Sequence, residues 1–129
     1  MDKVILFADN EPDFLDTRAE FLEKEGYTVI KAYTLEQARR FLGEKHLHLA
    51  ILDIRLVDDD DEKDISGITL AKDPAFRSIP KIILTNFPSY QTVRDVLGVA
   101  VDGMPSAVEY LFKGEGAEAM LEAVARAFS

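Results

Sequence analysis

Short apolar runs alternate along the chain with longer segments whose apolar residues recur at helical spacing. Val4-Ile5-Leu6-Phe7-Ala8 is continuous and apolar, which predicts a strand covered on both faces. From Pro12 to Gly26 the period changes. Phe14, Leu15, Arg18, Ala19, Phe21 and Leu22 give a helical stripe, opened by Asn10 or Glu11 ahead of Pro12 and closed by Gly26. Tyr27 to Ala32 is rich in strand formers and predicts a second strand. Thr34 then suits a helix N-cap with Gln37 as its capping-box partner, ahead of a face of Leu35, Ala38, Phe41 and Leu42.

The third strand is Leu49 to Leu52, ending at Asp53. After it the regularity fails, and Asp58-Asp59-Asp60-Asp61-Glu62-Lys63-Asp64 reads as a solvated loop. A short helix is expected from about Ser66, stopping before Pro74. Pro80 to Leu84 predicts the fourth strand, ending at Thr85, followed by a helix over 89–97. Asp102-Gly103 and Pro105 signal a turn within 100–106. Val108 to Phe112 is the fifth strand, ending at Lys113. A last helix from about Glu115 to Phe128 carries a stripe of Ala117, Met120, Leu121, Val124 and Phe128.

Five strands alternating with five helices predict an α/β, doubly wound parallel sheet with helices on both faces. The elements use all 129 residues, with no repeat or linker, so one domain over 1–129 is expected. Fifteen Lys and Arg against 24 Asp and Glu give a formal charge of −9, which argues against direct binding to nucleic acid or an anionic membrane. With no cysteine, disulfides, Cys-ligated metals and a cysteine nucleophile are excluded. No apolar run suggests a signal peptide or a membrane span. A soluble, cytoplasmic protein is the expectation.

In open parallel sheets, ligands sit beyond the carboxyl ends of the strands, where the strand order reverses. Strand one delivers Asp9, Asn10 and Glu11 to that rim, strand three Asp53, strand four Thr85 and strand five Lys113. Each alone has an ordinary explanation: an N-cap for Asp9 or Asn10, a strand-end charge for Lys113, a strand former for Thr85. Asp53 fits these least well, because it lies between apolar Leu52 and Ile54 and needs a compensating cation or hydrogen bonds. Together the groups suit phosphoryl transfer. Carboxylates bind Mg²⁺, the metal and an ammonium spread the phosphoryl charge, a carboxylate oxygen attacks in line, and a hydroxyl bonds the product.

Over essentially its whole length the sequence resembles the receiver domain of two-component response regulators. The matching pieces are Ala8-Asp9-Asn10-Glu11-Pro12, Leu52-Asp53-Ile54-Arg55-Leu56, Ile83-Leu84-Thr85 and Tyr110-Leu111-Phe112-Lys113, with Asp73-Pro74 through Ile79-Pro80 leading into the fourth strand. The resemblance implies a flavodoxin-like sheet of order 2-1-3-4-5. It implies that Asp53 accepts a phosphoryl group from a histidine kinase or phosphotransfer protein. Asp9 would hold Mg²⁺ through water, with Asn10, Asp53 and the Arg55 carbonyl as further ligands. Lys113 would pair with the phosphoryl group, Thr85 would swing toward it, and Tyr110 would follow by changing rotamer. The result would be a switch in protein–protein contacts toward an unnamed downstream protein, with a homodimer among the assemblies admitted. No enzymatic turnover is implied.

Four features depart from the family pattern. Asn10 stands where a second acid is usual, so weaker Mg²⁺ binding is expected, and Glu11 is the candidate to compensate. Gly114 replaces the usual proline after the lysine, so the Lys113–Gly114 bond is expected to be trans, with consequences for the reach of Lys113. The acidic loop lengthens the connection after Asp53 and lacks the ligand pattern of a calcium loop. The segment 98–106 is longer than the usual turn. His46 and His48 lie at the far end of the third strand from Asp53 and read as structural. Two rival readings stand beside it: a phosphorylation-independent interaction domain of the same fold, and an aspartyl-phosphate phosphatase, a true enzyme. The second wants an acid two residues beyond the nucleophile, where Arg55 stands. A flavin module would want a hydroxyl-rich loop after the first strand.

Overall fold

Apolar runs of four or five residues become strands because both of their faces can be buried at once. In the computed structural model, which describes residues 3–44, 46–58, 60–61, 64, 66–85 and 109–128, β1 (Val4–Ala8), β2 (Thr28–Ala32), β3 (Leu49–Asp53), β4 (Lys81–Thr85) and β5 (Glu109–Phe112) form one sheet. Its order is β2-β1-β3-β4-β5, and every neighbouring pair is parallel. The expected architecture is therefore present. Described helices are α1 (Pro12–Lys24), α2 (Leu35–Glu44), α3 (Ser66–Ala71) and α4 (Ala117–Phe128), with 3-10 turns at Pro74–Phe76 and Lys113–Glu115.

Successive strand residues point to opposite faces, and the core divides accordingly. On one side Leu6, Ala8, Ala50, Leu52 and Ile83 pack with Ala38 and Leu42 of α2 and Ile68 and Leu70 of α3. On the other, Ile5, Phe7, Ile51, Ile82 and Leu84 pack with Leu15 and Leu22 of α1 and Met120 and Val124 of α4. The β3 strand is buried throughout, so its last residue, Asp53, is carried to the edge of a dry interior.

The element ends differ from expectation in small, explicable ways. Tyr27 and Pro80 stand just outside their strands. Thr34 Oγ1 does accept the Gln37 amide, at 3.1 Å. The Gln37 side chain, however, accepts the Tyr33 N–H at 2.8 Å rather than that of Thr34. Gly26 ends α1 with φ +99°, a conformation that suits glycine. The last helix begins at Ala117, because Lys113–Glu115 first makes a 3-10 turn. His48 Nδ1 accepts the Val4 N–H at 2.9 Å, which makes it a tie between β3 and β1, and His46 meets it edge to face. The helix expected over 89–97, the turn within 100–106 and Val108 lie outside the described residues.

Candidate functional site

The strand register assembles the site. In the sheet Ala8 stands beside Leu52, so the next residues, Asp9 and Asp53, leave β1 and β3 as neighbours. Asp53 itself aligns with Leu84, and Thr85 with Phe112, so Thr85 and Lys113 reach the same rim from β4 and β5. Because the chain goes from β1 to β2 and then crosses to β3, the crevice opens between the first and third strands.

Asp9, Asp53 and Lys113 close into a buried ionic cluster. Lys113 Nζ lies 2.7 Å from Asp9 Oδ2 and 3.3 Å from Asp53 Oδ2. The three side chains are 0–3% exposed. A third carboxylate, Glu11, stands 3.8 Å from the same ammonium and is 37% exposed. The ammonium also rests 4.7 Å above the centre of the Phe14 ring, which is itself propped edge-on by Phe7. Burial pushes the Lys113 ammonium toward deprotonation, but Asp53, Asp9 and Glu11 outweigh it and raise its pKa above the usual 10.5. It is a fixed cation.

The remaining predicted residues sit where the sequence puts them. Thr85 is buried at the end of β4, one strand over from Asp53, and Tyr110 is half-buried on β5 beside Ile83. Arg55 follows Asp53 on the exit loop and is half-buried. The Lys113–Gly114 bond is trans, as are all those described. It nonetheless leaves Lys113 long enough to reach both acids.

Local bonds hold the backbone of the rim. Asp9 Oδ1 accepts the Glu11 N–H at 2.9 Å, fixing the turn into α1. Past Asp53, Ile54 N–H donates to Leu84 O at 2.9 Å, and Gly67 N–H donates to Ile54 O at 2.8 Å. Gly67 must approach this closely: a Cβ there would fall 1.9 Å from the Asp53 carbonyl oxygen. Ser66 Oγ accepts the Leu56 N–H at 3.0 Å. Asp64 gathers the acidic loop, accepting the Val57 and Asp58 amides on Oδ2 and the Ser66 amide on Oδ1. Burial raises its pKa, but those amides prevail and lower it from 3.8.

Sequence reasoning missed Asp64, Ser66 and Gly67, although Asp-x-Ser-Gly opening a helix is a turn and cap signature. It also missed Lys81, buried at the start of β4, whose ammonium donates to Phe76 O and Ile79 O at 2.6 and 2.8 Å. A lysine inside an otherwise apolar run was the available clue.

A divalent cation fits the rim. Asn10 Oδ1 is buried without a hydrogen-bond partner, an acceptor oxygen beside the carboxylate of Asp9. An open cleft of about 380 Å³ next to it is walled by Tyr33, Leu35, Leu56 and Val57. Among the described residues no three His, Asp or Glu side chains form a ready-made cage. Mg²⁺ needs none, because it binds through one or two carboxylates and keeps several waters.

The response regulator receiver domain profile matches residues 5–125. The chain belongs to the receiver domain family. Among curated relatives, this receiver is 43% identical over 56 residues to the response regulator GtcR of Aneurinibacillus migulanus and 39% identical over 56 residues to the regulatory protein VanR of Enterococcus faecium. Each match covers 43% of this chain, and only 23% and 24% of those proteins. Its fold is similar to that of a CheY-like receiver from Methanospirillum hungatei, with TM-score 0.82 and 25% identity over 98% of this chain and 93% of that one. It is also similar to a Burkholderia pseudomallei response regulator solved with a phosphorylated aspartic acid, a calcium ion and citrate. There the TM-score is 0.72 and the identity 26%, over 93% of this chain and 65% of the other.

Proposed function

We propose that this receiver accepts a phosphoryl group on Asp53 from a histidine kinase or phosphotransfer protein, and that the new charge switches its contacts with a downstream protein. The buried junction of Asp9, Asp53 and Lys113 carries this reading, because three groups from distant parts of the chain meet within 3.3 Å at one rim. The phosphorylated aspartic acid of the Burkholderia relative supports it. When bound, Mg²⁺ supplies positive charge against the transferring phosphoryl oxygens. Asp9 through water, Asn10, Asp53 and the Arg55 carbonyl would hold it.

The chemistry asks little else of the chain. One Asp53 oxygen forms the new bond to phosphorus as the bond from phosphorus to the donor's histidine nitrogen breaks, and the imidazole keeps that electron pair. Lys113, already charged and anchored over Phe14, is placed to take up a phosphoryl oxygen. The Thr85 hydroxyl then hydrogen-bonds a second oxygen, and Tyr110 on the adjacent strand changes rotamer as Thr85 moves. The receiver acts as a phosphoacceptor, not a turnover enzyme. Such a role puts it in the cytoplasm, where ATP-derived phosphohistidine is made. Its charge of −9 favours protein partners over nucleic acid.

Intact-mass analysis after acetyl phosphate and Mg²⁺ tests the assignment. Wild type should gain one phosphoryl group and Asp53→Asn none. Beryllofluoride should likewise bind only the wild type. No adduct on wild type, under conditions that modify ordinary receivers, would favour a phosphorylation-independent interaction domain, which the neutral Asn10 would suit.

A further inference from the structure

The side chain of Glu11 occupies an N-cap position yet caps none of the helix amides. The turn into α1 is held instead by its backbone, through Glu11 N–H to Asp9 Oδ1 and Leu15 N–H to Glu11 O. The carboxylate leans toward the rim, where it is the third acid around Lys113. Three carboxylates thus face one ammonium at the rim. Beside them Asn10 offers a buried, unbonded oxygen that brings no charge of its own.

We propose that Glu11 supplies the negative charge that Asn10 does not, strengthening divalent-cation binding at this rim through space and by offsetting Lys113, without ligating the ion. The inference rests on the phosphoacceptor reading for its purpose, though its test is independent of phosphorylation. Asp9 and Asp53 are both in contact with the Lys113 ammonium, which repels an incoming cation. Glu11 neutralises part of that repulsion from the solvent side. Being partly exposed, it acts through a screened field, so its effect should fade as salt is added.

Calorimetric titration of the whole chain with Mg²⁺ at low ionic strength tests this. Glu11→Gln should weaken Mg²⁺ about three- to tenfold, as expected when one unit charge acts on a divalent ion through a screened field. The loss should shrink to under about twofold in 0.5 M salt, which loss of a structural contact would not do. Glu11→Asp should restore part of the affinity. The double variant Asn10→Asp/Glu11→Gln, equal in charge to wild type, should bind Mg²⁺ at least as tightly as wild type. Equal affinity of Glu11→Gln and wild type at low salt would overturn the proposal, and so would a loss that ignores salt. If wild type takes up no Mg²⁺ at all, the proposal falls too. The phosphoacceptor reading fails separately, by the absence of an adduct on Asp53.

Discussion

Replacing Lys113 by Met keeps most of the side-chain volume and removes the ammonium that joins Asp9 and Asp53. Both acids are almost fully buried, and Lys113 Nζ lies 2.7 and 3.3 Å from their oxygens. Taking one partner from a buried ion pair costs about 3–5 kcal/mol, because the remaining charge stays desolvated. A domain of this size has about 5–15 kcal/mol in total, so the loss is about a fifth of its stability or more. With a urea dependence of about 2 kcal/mol per molar, the unfolding midpoint should fall by about 1.5–2.5 M. The chain has no tryptophan, so circular dichroism is the probe. Two internal checks tie the loss to charge. Adding Asp9→Asn to Lys113→Met should cost less than Asp9→Asn in wild type, with a coupling of about 0.5–3 kcal/mol. Mg²⁺ should stabilise the Lys113→Met variant more than wild type, since the ion now provides the missing positive charge and meets no ammonium. A loss below about 1 kcal/mol, or equal Mg²⁺ stabilisation of both proteins, would refute the reasoning.

Gly67→Ala would set a methyl 1.9 Å from the Asp53 carbonyl oxygen, and that atom is backbone, so something rigid must move. A net loss of about 1–3 kcal/mol in urea melts is expected despite alanine's better helix propensity, together with weaker Mg²⁺ uptake. Burial pushes the Lys81 ammonium down from 10.5 to about 8. The unfolded chain therefore binds more protons between those values, and stability should rise by about 2 kcal/mol from pH 8 to 10.5. Melts of Lys81→Met over that range should lack the rise, and an unchanged rise would exclude Lys81 as its source. The Lys113 pKa moves the other way, so its stabilisation is complete below 10.5 and is lost only as pH climbs through its higher folded value. Asp64→Ala removes the acceptor for the Val57, Asp58 and Ser66 amides. Those amides should exchange with deuterium about tenfold faster or more, and no change would show that the loop is held by other means.

What the sequence determined by itself was the sheet and the list of rim residues. Val4–Ala8, Leu49–Asp53 and Lys81–Thr85 are apolar enough to need cover on both faces, and the helical stripes between them supply that cover. Because parallel strands all point one way, whatever follows them arrives at one edge, so Asp9, Asp53, Thr85 and Lys113 were legible as a set. Tertiary structure decided the distances and the supports. Only folding brings Lys113 between two acids, over Phe14 and within reach of Glu11. Only the packing of α3 against the end of β3 reveals that residue 67 must be glycine. Periodicity records which residues avoid water, and it carries no signal for contacts between polar atoms far apart in the chain. Those contacts depend on ångström-scale packing, and here they turn a row of strand-end residues into a charged, buried crevice.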